Sequence, residues 1–253
     1  MESSKPAIQI VADVEAISRK AAEIIMGLMA ETLNTKTHFS IALSGGSTPK
    51  SLFTLLADDV SLRTQVDWDK VHFFWGDERH VPPDHPDSNF RMAYEAMLSK
   101  VPVQETNIHR VRAEEQDASK AAEEYADELQ TFFNLKPGEL PYFDCVLLGM
   151  GPDGHTASLF PGTEALHEQK RLVVSNWVEK FRTHRITLTA PVINNADCII
   201  FLVSGEEKAE VLREVLEGEK NTELFPSQLI KPSHGKLLWL VAQPATTKLT
   251  VDK

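Results

Sequence analysis

The sequence predicts an α/β protein with a mostly parallel sheet and helices on both of its faces. Short apolar runs rich in β-branched and aromatic residues alternate with amphipathic helical patterns along the chain. Several of these runs are apolar at nearly every position, which is typical of parallel strands that helices cover on both faces. The repeated order of strand, helix and strand indicates right-handed crossover connections.

Seven runs are expected to form strands, at residues 40–44, 71–75, 143–149, 171–177, 186–190, 198–204 and 236–242. The clearest helical patterns cover residues 14–31, 88–100, 119–133 and 206–217. Ser88 and Ser119 are suited to cap the N-termini of the second and third of these helices. No internal repeat or low-complexity linker interrupts the pattern, so residues 1–253 are expected to form a single domain.

Composition limits the kinds of partner. The 253 residues carry a formal net charge of −11, which argues against non-specific binding to nucleic acid or to an anionic membrane. Cys145 and Cys198 lie in apolar runs and are interpreted as buried thiols. Residues 1–14 lack the apolar core of a secretion signal, and no run approaches a membrane span. A cytoplasmic protein with a small-molecule substrate is expected, as a monomer or a homodimer.

The first candidate loop, SGGSTP at residues 44–49, follows the first predicted strand and precedes a helical pattern. Its glycines allow close approach of a ligand to the backbone, and Pro49 suits the first turn of a helix. Amides at a helix N-terminus attract phosphate. The alternative is a capped turn without a ligand. The candidate phosphate contacts are Ser44, Gly45, Gly46, Ser47 and Thr48.

The second loop, GDERHVPPDHPDSN at residues 76–89, places Asp77 and Arg79 directly after a strand. Neighbouring charges at a strand end can position a substrate and stabilise developing negative charge. A solvated charged turn is the alternative reading. His80 and His85 do not match a metal-ligand spacing, and no metal is expected.

The third loop, GMGPDGHTASLFP at residues 149–161, contains the G-x-G-x-x-G pattern of a dinucleotide-binding turn. That turn needs a long helix after the last glycine, and Pro161 interrupts the segment too early. A catalytic interpretation is therefore favoured, in which His155 is a general base oriented by Asp153. Arg185 and Lys208 are candidate anion contacts, although each could equally be an ordinary surface charge.

Together these segments resemble the glucosamine-6-phosphate isomerase/6-phosphogluconolactonase family. The resemblance rests on SGGSTP, WGDERHVPPDHPDSN, LGMGPDGHTASLFP and RITLT in that order, and extends from about Ile8 to Val241. It is greater to the lactonases than to the deaminases, and it implies a Rossmann-like fold. The implied reaction is hydrolysis of 6-phospho-D-glucono-1,5-lactone to 6-phospho-D-gluconate, in the oxidative pentose phosphate pathway, without a cofactor.

The resemblance also implies roles for individual residues. His155 would activate water, Asp153 would orient His155, and Arg79 would stabilise the oxyanion or the substrate. Asp77 would shape the loop around Arg79. The phosphate would be held by residues 44–48 together with Arg185 and Lys208.

Two rival functions are weighed against the lactonase. The related glucosamine-6-phosphate deaminases carry a glutamate at the position of Phe160, and an apolar ring cannot replace that acid. A sugar-phosphate sensor without catalysis would retain SGGSTP and Arg185 but would need neither His155 nor Arg79. It would normally also carry a DNA-binding module. The length and the negative charge of this chain argue against that module.

Overall fold

The structure, a computed structural model, describes residues 6–250 of the chain. Its strands are β1 Ala7–Val11, β2 Phe39–Leu43, β3 Val71–Trp75, β4 Asp77–Arg79, β5 Cys145–Leu148, β6 Val173–Val178, β7 Thr183–Leu188, β8 Cys198–Val203 and β9 Lys236–Ala242. Its α-helices are α1 Val14–Leu33, α2 Ser47–Asp58, α3 Val60–Arg63, α4 Asn89–Ala96, α5 Ala118–Phe133, α6 Ala190–Asn194 and α7 Ala209–Leu216.

Six strands form the central sheet in the order β1-β9-β8-β5-β2-β3, and every neighbouring pair is parallel. Strands β2, β5 and β8 are buried along their whole length. This is the burial expected of a parallel sheet covered on both faces. The predicted α/β fold with a mostly parallel sheet is confirmed.

A second sheet of three antiparallel strands, in the order β4-β7-β6, was not predicted. The runs at 171–177 and 186–190 overlap strands β6 and β7, but β7 begins earlier than predicted, at Thr183, and ends at Leu188. These two strands pair with each other, and β7 also pairs with β4, outside the central sheet. The short strand β4 was assigned to a loop because its three residues are all charged. Strand β1 was missed because it is an edge strand with mostly exposed residues.

Helix capping agrees with the sequence at one helix and differs at another. The Ser88 hydroxyl accepts a hydrogen bond from the Arg91 amide at 3.1 Å, so the predicted cap of α4 is confirmed. The prediction of Ser119 as the cap of α5 is wrong. Asp117 is the cap residue, and its carboxylate accepts the Ser119 amide at 2.8 Å, because a side-chain acceptor just before the first turn satisfies its free amides.

The two cysteines are buried thiols, as expected. Cys145 and Cys198 are free and buried, and burial raises the pKa of the Cys198 thiol to about 11. No helix within residues 6–250 is long and apolar enough to cross a membrane. The prediction of one domain over residues 1–253 and the prediction about residues 1–14 both include residues 1–5, which lie outside the described residues, as do residues 251–253.

The parallel sheet explains why distant segments meet. All carboxyl ends of parallel strands lie at one edge of the sheet, which is where open α/β sheets bind ligands. The loops after β2, β3, β5 and β8 all leave from this edge.

Candidate active site

A cavity of about 280 Å³ lies at this edge. Of the predicted site residues it is lined by Ser44, Gly45, Gly46, Ser47, Thr48, Asp77, Arg79, His155, Arg185 and Lys208. Asp153 does not line the cavity but contacts His155 directly. The structure therefore brings every residue predicted for the site into one cluster. Residues that the sequence reasoning did not assign also line the cavity, among them Asn89, Gly151, Ser158 and Phe181.

The loop at residues 44–49 turns sharply at Gly46, whose φ of 103° lies in the region that favours glycine. Helix α2 starts at the next residue, so its free N-terminal amides lie at the cavity. Gly45 is needed for a different reason, since a Cβ atom there would lie 2.0 Å from the Asn89 side-chain oxygen. The Thr48 hydroxyl is paired with the Ser204 hydroxyl at 2.6 Å, which connects the first turn of α2 to the loop after β8.

Arg185 is the most unusual cation of the site. Its Nε and Nη1 atoms are buried and have no hydrogen-bond partner among residues 6–250. Burial lowers the pKa of Arg185, and the nearby Arg79 lowers it further. Burial likewise lowers the pKa of Lys208. Buried cations without partners are unfavourable unless a ligand anion completes the site.

Asp77 and Arg79 lie on β4, where Arg79 is paired in register with Arg185 of β7. Asp77 is buried, accepts the Ser158 hydroxyl at 2.7 Å and also accepts the Asn89 side-chain amide through its backbone oxygen at 2.9 Å. Asp77 therefore joins the second and third loops. The Arg79 guanidinium donates to the backbone oxygen of Asp87 while lining the cavity.

His155 and Asp153 form a hydrogen-bonded pair, with Nδ1 of His155 2.5 Å from Oδ1 of Asp153. Burial alone would raise the pKa of Asp153, but the hydrogen bond and charge of His155, together with Lys180, hold it well below its usual range. An ionised Asp153 carboxylate accepts a hydrogen bond from Nδ1–H of His155. In the neutral imidazole that carries its proton on Nδ1, Nε2 is the basic nitrogen. The Phe160 ring stacks on the imidazole at 4.1 Å between centroids.

Gly151 leaves the space that this pair occupies. A Cβ atom at residue 151 would lie 2.1 Å from the His155 ring and 2.8 Å from Oδ1 of Asp153. We expect Gly151→Ala to displace the imidazole. If His155 is the general base of an enzymatic reaction, kcat should fall by about 10²-fold or more, because a displaced base contributes nothing. Initial rates of a folded variant measure this effect.

Gly27→Ala is the matched control for that substitution. Gly27 is exposed in the middle of α1, and a Cβ atom there meets nothing within 4 Å. It should raise the free energy of unfolding by about 0.5–1 kcal/mol with no effect on kcat. Equal activity of the two variants would show that the glycine at 151 is not required for the position of His155.

Some of the unassigned cavity residues could have been proposed from the sequence, and others could not. Asn89 and Ser158 lie within the quoted motifs and could have been proposed from them. Lys180 and Phe181 lie at the β6–β7 turn. Their approach to the site depends on the antiparallel sheet, which the sequence pattern did not predict.

The fold and this cavity define an α/β protein with a candidate anion site beside a histidine–aspartate pair. Residues 12–239 match the family model described as glucosamine-6-phosphate isomerases/6-phosphogluconolactonase. The chain belongs to this family, as the resemblance predicted.

Individual relatives cover almost the whole chain. A 6-phosphogluconolactonase of Nostoc sp. is 42% identical over 98% of this chain and 100% of its own length. A 6-phosphogluconolactonase of Synechocystis sp. is 40% identical over 96% of this chain and 98% of its own. A solved 6-phosphogluconolactonase structure from Trypanosoma cruzi superposes with a TM-score of 0.86 at 32% identity and covers 98% of each chain.

Proposed function

We propose that this protein hydrolyses 6-phospho-D-glucono-1,5-lactone to 6-phospho-D-gluconate, the second step of the oxidative pentose phosphate pathway, with His155 activating the water. Family membership and the similar lactonases support a lactonase hydrolase. The observation that carries the proposal is the His155–Asp153 pair beside a cavity that Arg185 also lines, with Nε and Nη1 of Arg185 lacking a hydrogen-bond partner within the described residues. A base and an anion site in one cavity suit a phosphorylated ester.

In the proposed reaction, Nε2 of His155 takes a proton from water as the water oxygen bonds to the lactone carbonyl carbon. The carbonyl becomes a tetrahedral oxyanion, which Arg79 stabilises, and Asp153 stabilises the imidazolium. Collapse of the intermediate breaks the bond to the ring oxygen, which receives the proton from His155. The product is an open-chain acid, and the imidazole is neutral again.

The substrate is proposed to be positioned through its phosphate group. The amides at the start of α2, with Arg185 and Lys208, are proposed to hold it. A local positive site is needed here because the chain as a whole carries a net charge of −11. Fixing the phosphate would place the lactone carbonyl at His155.

A deaminase reaction is the second candidate, since the family name includes isomerases of glucosamine 6-phosphate. Phe160 argues against it, because its ring packs flat against His155 where the deaminases carry an acid. The only carboxylate in contact with His155 among residues 6–250 is Asp153. We therefore favour the lactonase.

A direct comparison of substrates tests this choice. Freshly generated 6-phosphogluconolactone should be hydrolysed well above the spontaneous rate, whereas ammonia release from glucosamine 6-phosphate should equal the blank. Unphosphorylated gluconolactone should be a poor substrate, because it lacks the contacts that position the carbonyl. Ammonia release without lactone turnover would contradict the proposed function.

A further inference from the structure

The turn between β6 and β7, residues 179–182, lies against the candidate active site. It consists of the 3-10 turn Glu179–Phe181 followed by Arg182, which has a left-handed φ of 48°. Phe181 lines the cavity, and its ring lies 5.8 Å from the Phe160 ring and 5.3 Å from the Arg185 guanidinium carbon. The 179–182 turn is thus held in place by contacts with two cavity residues.

From this turn, Lys180 contacts Asp153 of the His155–Asp153 pair. Its Nζ atom lies 3.2 Å from Oδ2 of Asp153, while Oδ1 of the same carboxylate bonds to His155. Each carboxylate oxygen therefore has its own partner, and the partners come from different parts of the chain. A carboxylate held at both oxygens keeps its plane, and with it the direction of the bond to His155.

We propose that Lys180 is a positioning residue that fixes the Asp153 carboxylate and offsets its charge, so that His155 stays oriented and neutral for the hydrolysis. This inference rests on the proposed function. Lys180 acts through Asp153, since it is not among the residues that line the cavity.

The direction of the electrostatic effect follows from the charges around His155. Asp153 is the anion in direct contact, and Lys180 is the other charge in contact with that carboxylate within the described chain. The remaining charges around the cavity are Asp77, Arg79, Arg185 and Lys208. Removing the Lys180 cation leaves Asp153 less compensated, which favours the imidazolium. His155 should then take up its proton at a higher pH.

An ordinary surface ion pair is the competing explanation, because the Lys180 side chain is 59% exposed. Exposed pairs contribute little to stability, so melting temperature does not separate the two explanations. The His155 titration and the split between kcat and KM do, because a solvated surface charge would change neither.

The test uses three variants. Lys180→Met removes the charge and keeps the aliphatic chain, and Lys180→Arg keeps the charge. Lys120→Met is the matched control, because Lys120 pairs with Glu115 at 2.7 Å and is 57% exposed. The ring signals of His155 are followed by NMR over a pH titration without substrate, and kcat and KM for the lactone are measured over the same range.

In Lys180→Met we expect the midpoint of the His155 titration to rise by about 0.3–0.5 pH unit. We expect kcat to fall about threefold to tenfold, most strongly on the acid side, with little change in KM. Lys180→Arg should retain most of the wild-type behaviour, and Lys120→Met should retain all of it. A Lys180→Met variant that titrates and turns over like Lys120→Met would overturn the inference. Failure of the wild type to hydrolyse the lactone would instead refute the proposed function, and the titration would still decide whether Lys180 controls His155.

Discussion

Replacing His155 with alanine is expected to lower kcat for the lactone by about 10²–10⁴-fold, the usual contribution of a general base. Phosphate binding should persist, because the cations and amides assigned to the phosphate lie on other segments. His155→Asn is the milder substitution, since it keeps a polar side chain next to Asp153 but has no basic nitrogen. Both variants should therefore lose turnover while KM changes little.

His167→Ala is the matched control for these variants. Its Nε2 atom lies 3.5 Å from a Glu223 carboxylate oxygen, and its side chain is 64% exposed, so it is a histidine–carboxylate pair outside the cavity. Initial rates are compared after subtracting spontaneous hydrolysis, with folding checked by thermal melting. If folded His155→Ala turned over like His167→Ala, His155 would be an ordinary histidine and the water would have no base.

The pH dependence of wild-type activity should also depend on His155. The pKa of Asp153 is held well below its usual range in the folded protein. A depressed carboxylate pKa means that the stabilisation from its contacts is complete above the unfolded value, about 3.9, and is lost only as the pH falls towards the folded value. Loss of activity at mildly acidic pH should therefore come from protonation of His155 and be reversible, with Asp153 still ionised.

Much of the fold could be predicted because parallel strands have a clear sequence signature. Runs such as 198–204 are apolar at nearly every position, and β8 occupies most of that run and is fully buried. Strand β4 has no such signature, because Asp-Glu-Arg is not a β-rich sequence. Its pairing with β7 and the burial of Glu78 come from tertiary structure. Glu78 accepts the amides of Asn89 and Phe90, and burial raises its pKa.

In the candidate site, too, some residues could be predicted from the sequence and others depend on tertiary structure. The loops after β2, β3 and β5 could be recognised because strand ends in a parallel sheet share one edge. Arg185 and Lys208 were ambiguous, since a single sequence does not show whether a cation is buried. Lys180 could not be assigned at all, because its contact with Asp153 depends on the pairing of β6 with β7, which brings the turn between them to Asp153.

Arg185→Ala is expected to raise KM for the lactone by about 10–100-fold. Hydrogen bonds to charged groups typically contribute about 1.5–3 kcal/mol, and each 1.4 kcal/mol corresponds to about tenfold in affinity. The buried Nε and Nη1 atoms of Arg185 have no hydrogen-bond partner within residues 6–250, which leaves donors for the proposed contact with the phosphate. KM should change more than kcat if the contact is equally strong in the ground state and the transition state.

The melting temperature of Arg185→Ala tests the same assignment independently of activity. Arg185→Ala removes a partly buried guanidinium whose Nε and Nη1 atoms have no hydrogen-bond partner within residues 6–250, so the variant should melt at the same temperature as the wild type or higher, although its activity falls. Inorganic phosphate should raise the melting temperature of the wild type, because a ligand that binds only the folded state stabilises it. Phosphate should stabilise the Arg185→Ala variant less than the wild type.

Arg112→Ala, at an exposed arginine outside the cavity lining, is the control. If Arg185→Ala kept both a wild-type KM and the full response to phosphate, Arg185 would not be a contact of the phosphate.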